Sequence, residues 1–489
     1  MSILAAALFA AAAQTPSPAP SPPVYWGAPA VRFGVESRPL GFDPDGNARW
    51  LVVARFYDAR GRRTRIMANS DLDWISSGAY VQWQTRLRFG QPSAILKTAR
   101  NGPVSMLVRC NIPSLGTARI STDTRRWSGP RAVAAALGPY AVQIGWFPRS
   151  DGPVRLIRID GAGNTSVAAA IAGPSSSYRD THVRPGRRYR YVVYRAGSPP
   201  ARIAPVDVPA LPPHTAVSNV SGKGMWLYFT ANPVDDLYYK HLNPSAIVDR
   251  AVRAGLRYVE LRTAYGAYWE ITPEAKPAID AIIDGLAAHG IGTIGWTVPR
   301  DATFEDVEQT VRSAYYRTAR GTPLTGIAVD LERGGEFMGP APHGLDELWL
   351  YLQSVRDALG PRYLIASNIE DPYLEHLDRR KYPYEQIARY SDVLQPMTYW
   401  RMLSPAPFKA DVAQTVRASY ALVARLARRP IAIGVGGQTN ALGPNGAPPP
   451  DEITASLQAA KDAGAIGECF FAWDGTQLPQ WSALSAFRW

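Results

Sequence analysis

Cysteine is nearly absent, with only Cys110 and Cys469 in a chain of 489 residues. The two fall in segments assigned below to different domains, which argues against a disulfide framework and against a cysteine-ligated metal. Histidine is scarce as well: six residues, with no His-x-His or His-x-x-x-His pair. Neither HExxH nor GxSxG occurs, so the common zinc- and serine-hydrolase signatures are missing, and no motif asks for a cofactor. No zinc-finger, RRM or helix-turn-helix pattern accompanies the basic charge, which disfavours nucleic acid. Beyond the N-terminus no apolar run is long enough to cross a bilayer.

What is present is unevenly distributed. Residues 1–210 hold 27 Lys+Arg and 11 Asp+Glu, a net of +16, whereas the remainder holds 26 and 30, a net of −4. A basic front half suits an anionic cell-wall or envelope polymer; an arginine-rich surface from codon bias accounts for it equally well. Residues 1–13, MSILAAALFAAAA, have the apolar core and small-residue end of a secretory signal peptide, although no basic leader precedes them. The expectation is an exported protein. Residues 14–23, QTPSPAPSPP, read as an extended proline-rich linker.

Residues 24–123 carry short strand-like runs between turn residues: ARWLVVARFYDARG, AYVQWQTRLRF, SAILKTA and VSMLVRC. That spacing implies an immunoglobulin-like β-sandwich. Residues 129–209 repeat the pattern with YAVQIGWFP, PVRLIRID, SVAAAIA, SSYRDTHV and RYRYVVYRA. Here Trp146 on an early strand, and a turn in which Val183, Pro185, Gly186 and Tyr189 follow an apolar-x-Pro-Gly-x-x-Tyr pattern, resemble fibronectin type III domains. The resemblance makes Tyr189 a tyrosine-corner residue. Either as family features or as plain core aromatics, Trp146 and Tyr189 are structural.

After the proline stretch PVDVPALPPH, residues 222–489 alternate short apolar strands with helical segments of about a dozen residues. Strands are expected at 224–229, 258–262, 293–297, 326–330, 363–367, 393–397, 431–434 and 468–473, and helices at 278–289, 304–318, 345–359 and 411–426, among others. Eight strands over this length imply a (β/α)₈ TIM barrel. A doubly wound sheet commonly has a glycine-rich first turn, which this segment lacks.

In such barrels the reacting groups project from the C-terminal strand ends. Those ends offer Trp226 and Tyr228, Glu260 and Arg262, Trp296, Asp330 and Glu332, Asn368 and Glu370, then Gln395, Met397, Tyr399 and Trp400, and finally Trp473 and Asp474. The recurring aromatics suit a cleft that stacks sugar rings. Asp330 and Glu332 are two apart on a strand, so they share a face, and close carboxylates raise one pKa as a general acid requires. The seventh strand ends in Gly436-Gly437-Gln438 and supplies no acid. That absence favours substrate-assisted catalysis, in which a sugar N-acetyl oxygen replaces the protein nucleophile.

Gly326-Ile-Ala-Val-Asp-Leu-Glu332 resembles the strand-four D-x-x-D-x-D-x-E motif of glycoside hydrolase family 18, the chitinase and spore-cortex glucosaminidase family. Ala328 stands where the family has an Asp. Gln395-Pro-Met-Thr-Tyr399 resembles its strand-six motif, with Trp400 in the place of an acid, and Trp473 resembles its final-strand tryptophan. The resemblance makes Glu332 the acid/base, has Asp330 orient the acetamide, and has Tyr399 hydrogen-bond its oxygen. Trp226, Tyr228, Glu260, Trp296, Asn368, Gln395, Met397, Trp400, Trp473 and Asp474 are the expected substrate contacts. Two alternatives stay open: a carbohydrate-binding surface protein without activity, and a glycosidase pairing Glu332 with Glu260, Glu370 or Asp474. Ordinary ion pairs, Glu260 with Arg262 and Asp330 with Arg333, are the plain structural alternative.

Overall fold

The computed structural model describes residues 25–26, 30–66, 72–88, 91–110, 112, 114–126, 131–228, 243–334, 344–441 and 443–489. The expected leader, the proline-rich linker and Phe229 lie outside them. The chain divides into two compact units, essentially residues 20–211 and 212–489.

The first unit holds two sandwiches of antiparallel sheets. In the first sandwich, Ala48–Tyr57 is the centre of a sheet that includes Arg32–Phe42, Arg63–Ile66, Tyr80–Arg88 and Gln91–Thr98. Its strict alternation buries Trp50, Val52, Ala54 and Phe56, which join Trp74, Met106 and Val108 of the facing sheet in one core. The facing sheet is Leu72–Ser77, Pro103–Cys110 and Thr117–Asp123. Arg32–Phe42 escaped the sequence reading because most of its residues stay at least partly exposed, leaving no apolar period to detect.

In the second sandwich, Ala132–Gly138, Ala141–Ser150 and Ser175–Asp180 form one sheet. Thr165–Ile171, Val154–Asp160, Arg188–Arg195, Ala201–Arg202 and Val206–Asp207 form the other. Trp146 is wholly buried and its Nε1 donates to the Ser175 carbonyl at 2.9 Å, while the Tyr189 hydroxyl accepts the Arg184 N–H at 3.0 Å. Both residues therefore pack and fix turns.

The second unit is a parallel barrel. Its strands are β1 (Gly222–Leu227), β2 (Tyr258–Tyr265), β3 (Gly292–Val298), β4 (Ile327–Leu331), β5 (Ile365–Ile369), β6 (Val393–Pro396), β7 (Val435–Gln438) and β8 (Gly467–Phe471). They pair in sequence, and β8 returns to β1. The seventh position is split at Gly434. Ala432–Ile433 pairs with β6, β7 pairs with β8, and a bridge between Met397 and Gly436 completes the ring. Among the described residues the helices are α1 (Pro244–Ala254), α2 (Lys276–Ala288), α3 (Phe304–Tyr315), α4 (Asp346–Leu359), α5 (Tyr384–Tyr390), α6 (Val412–Ala427), α7 (Pro450–Asp462) and α8 (Leu478–Ala486). Each follows its strand, as right-handed β/α crossovers require.

Local chemistry sets the helix ends. Asn243 caps α1 by accepting the Ala246 N–H at 3.2 Å, and Gly255 ends it in the left-handed region at φ 63°. Lys223, buried on β1, donates to the carbonyls of Ala254, Leu484 and Phe487, satisfying groups at the ends of both α1 and α8.

Candidate active site

Inward-facing residues fill the barrel in layers. Val220, Tyr258, Ile294, Ala328, Leu364, Ala366, Val393 and Cys469 belong to an apolar cluster that continues up to Trp226, Trp296, Met397 and Tyr399. Ala328, where the motif expects an acid, is fully buried within that cluster. A polar layer is built instead from three other strands. Glu260 of β2 accepts from Gln395 Nε2 of β6 at 2.7 Å and from Asn368 Nδ2 of β5 at 3.1 Å, and Gln395 Nε2 also donates to Asn368 Oδ1 at 2.9 Å. Burial raises the Glu260 pKa, opposed by the bonds from Gln395 and Asn368 and by the Trp226 and Cys469 side chains.

Asp330, on β4 beside Asn368, is 5% exposed. Burial, and next the charge of Glu260, push its carboxyl up to about 8, while the Trp296 indole and the Arg262 guanidinium pull the other way. Four buried polar atoms of this region make no hydrogen bond of good geometry among the described residues: Asp330 Oδ1, Gln395 Oε1, Trp226 Nε1 and Trp296 Nε1, the two indoles lying near enough to Glu260 and Asp330 to lower their pKa values. Such a concentration inside one lumen is unusual, because buried polar groups are nearly always paired.

Glu332, just beyond β4, is 3% exposed, and its charge acts on the Tyr399 hydroxyl together with that of Asp330. Burial first, then these carboxylates, raise the Tyr399 phenol well above its usual value. The Tyr399 ring lies edge-on to Trp226, with centroids 6.4 Å apart, and 5.7 Å from Phe471. Tyr228 stacks on Phe471 at 5.9 Å and meets Trp296 at 6.1 Å. An aromatic group of Trp226, Tyr228, Trp296, Tyr399 and Phe471 therefore adjoins the carboxylates. Phe471 was missed; its strand parity with the inward Cys469 was the available signal.

The plain ion-pair alternative fails. Arg262 forks onto Glu270 at 2.7 and 2.9 Å and lies against Tyr228, Tyr265 and Trp296, while Glu260 is held by amides. Arg333 binds Glu370 through its backbone N–H at 2.7 Å and through its guanidinium, and reaches Glu375 at 3.1 Å. Glu370 is thus engaged in an ion pair, and Asp474 is exposed, its charge acting on the Tyr228 hydroxyl.

Two expected contacts must be corrected. Trp400 is fully buried outside the lumen, in the core between strands and helices, where its Nε1 donates to Glu452 at 2.9 Å. Tyr399 and Trp400 are consecutive, and here they take opposite sides. Trp473 also leaves the lumen cluster: β8 ends at Phe471, and the half-buried Trp473 ring packs on Trp481 of α8 at 4.9 Å.

Strand seven carries glycine where it passes Trp226, and its last residue, Gln438, accepts the Met402 N–H through Oε1 at 3.2 Å. A Cβ on Gly436 would sit 2.9 Å from the Pro396 carbonyl and 3.0 Å from the Trp226 ring. No side chain fits at Gly436 without a shift of these neighbours.

No known family matches the sequence, and no curated protein matches it. Among solved structures, the Bacillus cereus spore cortex-lytic enzyme SleL is similar at 13% identity and TM-score 0.39, over 58% of this chain and 77% of that one. A chitinase from Chromobacterium violaceum is similar at 12% identity and TM-score 0.38, over 55% of this chain and all of that one. A β-glucuronidase from Ruminococcus gnavus is similar over 88% of this chain and 82% of that one, at 10% identity and TM-score 0.34. The barrel rests on its own strand register and not on these likenesses.

Proposed function

We propose that the barrel is a glycosidase that cleaves an N-acetylhexosamine polysaccharide, peptidoglycan or a chitin-like polymer, by substrate-assisted retaining catalysis. The observation that carries this reading is the set of unmatched polar atoms in the lumen, two acceptors and two donors, beside an aromatic group. An acetamide offers one N–H and one carbonyl, so Asp330 Oδ1 suits the former and indole or phenol groups suit the latter. In this reading Glu332 protonates the glycosidic oxygen as the acetamide oxygen attacks the anomeric carbon and the leaving alcohol departs. Asp330 orients the acetamide, and Tyr399 hydrogen-bonds its oxygen. Water then opens the bicyclic intermediate, giving up its proton to Glu332, with net retention. Trp226, Tyr228, Trp296 and Met397 shape the sugar site above the Glu260, Asn368 and Gln395 layer, and Asp474 lies at the rim. The protein is exported, and its immunoglobulin-like and fibronectin type III-like sandwiches act as spacers or wall-binding modules.

Reducing-end release from purified peptidoglycan and from chitin oligosaccharides tests the activity, with Glu332→Gln as the comparison. A fluorinated sugar that traps no covalent adduct supports the substrate-assisted route; a trapped carboxylate points to a protein nucleophile. A second reading draws on Ala328, whose apolar surroundings depart from the motif: a barrel that binds glycans and no longer cleaves them. Glycan binding without any release selects it.

A further inference from the structure

The 27 cations of residues 1–210 include a single lysine, Lys97, and it is buried. Its ammonium lies 3.4 Å from the fully buried carboxylate of Asp43, which also accepts the backbone N–H of Asn47 at 2.7 Å. Around this pair opens a cleft of about 950 Å³, lined by Asn47, Lys97, Arg100 and Asn101 of the first sandwich and Arg149 and Asp151 of the second. The two sandwiches are fastened together nearby. Phe42 stacks on Phe147 with centroids 4.8 Å apart, Gln143 Nε2 donates to Asp45 Oδ1 at 3.1 Å, and Ser176 Oγ donates to the Asp45 carbonyl at 3.1 Å. The cleft is therefore set by packed side chains from both walls.

Much of the acid in this unit is already engaged: Glu36 with Arg55, Asp58 with Arg62, Asp123 with Arg125, Asp180 with Arg158 and Asp207 with Arg188. Arg100 and Arg149 are exposed and have no ion-pair partner among the described residues. The wall carries the two arginines against one carboxylate, Asp151, so its charge stays positive within a strongly basic unit, and its concave shape focuses that potential. Among the described residues no aromatic side chain lines the cleft to stack a nucleobase. Asn47 Nδ2 donates to Asp43 Oδ2 at 3.2 Å and Asn101 Oδ1 accepts from Thr124 Oγ1 at 3.3 Å, which leaves the Asn47 carbonyl and the Asn101 amino group to pair with hydroxyls, and the guanidinium groups with acids.

We propose that this cleft binds an acidic glycan strand, with its carboxylate or phosphodiester groups on Arg100 and Arg149 and its hydroxyls on Asn47 and Asn101. The proposal rests on the glycosidase reading only for the choice of a glycan over other polyanions.

The test titrates the full chain with polygalacturonate, with poly(glycerol phosphate), with neutral dextran and with single-stranded oligothymidylate. Arg100→Glu/Arg149→Glu is compared with Arg155→Glu/Arg202→Glu, which makes the same charge change at exposed sites outside the cleft. The expected result is that the cleft pair weakens binding of an acidic glycan roughly tenfold or more, and the control pair by less than about threefold. Carboxylate and phosphodiester polymers are told apart by which one the wild type holds more tightly. Equal weakening by both pairs, no binding of either acidic polymer, or tighter binding of oligothymidylate overturns the proposal. Should charge reversal unfold the protein, Arg100→Gln/Arg149→Gln replaces it. Hydrolysis of a soluble oligosaccharide is followed in the same variants, so intact cleft binding with an inactive barrel refutes the glycosidase reading alone.

Discussion

Carboxylates behave in opposite ways in the two units. In the sandwiches Asp58 and Asp160 sit in turns and accept backbone N–H groups, Asp58 from Arg60 and Arg62 and Asp160 from Ala162 and Asn164, each at 2.9 Å. Those bonds hold both below the usual range, led for Asp58 by the Arg62 N–H and for Asp160 by the Asn164 side chain. In the barrel, burial pushes Glu260, Asp330, Glu370 and Asp371 upward, although each has donors or a cation nearby. The balance of two effects makes the difference: at the turns the hydrogen bonds outweigh desolvation, even for Asp58 at 4% exposure, whereas deep in the barrel desolvation outweighs them. Within the barrel there is a second contrast. Asp371 is held by Thr398, Ser419 and two backbone N–H groups, whereas Asp330 keeps an unmatched oxygen. A desolvated carboxyl with a free lone pair is ready for a ligand; a desolvated carboxyl with a full complement holds loops together.

The largest expected effect is on chemistry. Glu332→Gln should lower turnover roughly 10²–10⁴-fold while the unfolding transition stays in place. An unchanged rate would leave the lumen acids as structural as the turn acids. Asp330→Asn should cost roughly 10²-fold in turnover. Because the native carboxyl is already pushed up to about 8, the neutral amide should leave stability near pH 7 undiminished. Denaturant unfolding beside steady-state kinetics separates the two quantities.

Glu468 sharpens the comparison through pH. It is fully buried on β8, receives the Ser456 hydroxyl at 2.5 Å, and is pushed by burial from 4.5 to about 8. Its folded-state pKa is raised, so its stabilising proton is fully held below the unfolded value. That contribution is lost as pH rises toward the folded value. Wild-type stability should therefore fall by about 1.4 kcal/mol per pH unit from this group across that window. Glu468→Gln should remove the slope, a change of roughly 2 kcal/mol in the difference between the two proteins over a pH change of about 1.5 units. Urea midpoints at several pH values measure it, and parallel curves for the two proteins would refute the burial argument.

The smallest effect is expected at a turn. Asp160→Ala should lower the melting temperature slightly at neutral pH and leave turnover untouched. The shift is of the opposite sign here, so this stabilisation is present above the ordinary aspartate pKa of 3.8 and disappears as pH falls through the lowered folded value.

Much of the barrel was legible because its signal is local. Apolar runs such as Thr293–Thr297 and amphipathic stretches such as Asp411–Leu426 show their period within a dozen residues, and strand ends follow directly. Asp330, Glu332 and Tyr399 came from that rule, and both carboxylates act on the buried Tyr399 hydroxyl. Trp400 failed although parity alone separates it from Tyr399. Trp473 failed because β8 stops at Phe471, and strand length is not written in the apolar pattern. The partners of the charged groups were least legible. Arg262 has Glu270 eight positions on, but Arg333 meets Glu370 and Glu375 across 37 and 42 residues.

By itself, the amino-acid order determined the alternation of strands and helices in the barrel, the antiparallel strands of the front unit with the buried Trp146 and Tyr189 of its second sandwich, and which residues end the barrel strands. These follow from periodicity and turn chemistry, which act between near neighbours. Only the tertiary structure decided which carboxylates lose water and which keep donors. It put Glu260 beside Gln395 and Asn368, left Asp330 with an unmatched oxygen, and set the ring of Trp226 against Gly436, where no Cβ fits. Burial and charge coupling sum over residues far apart in the chain, so they exist only once the barrel has closed.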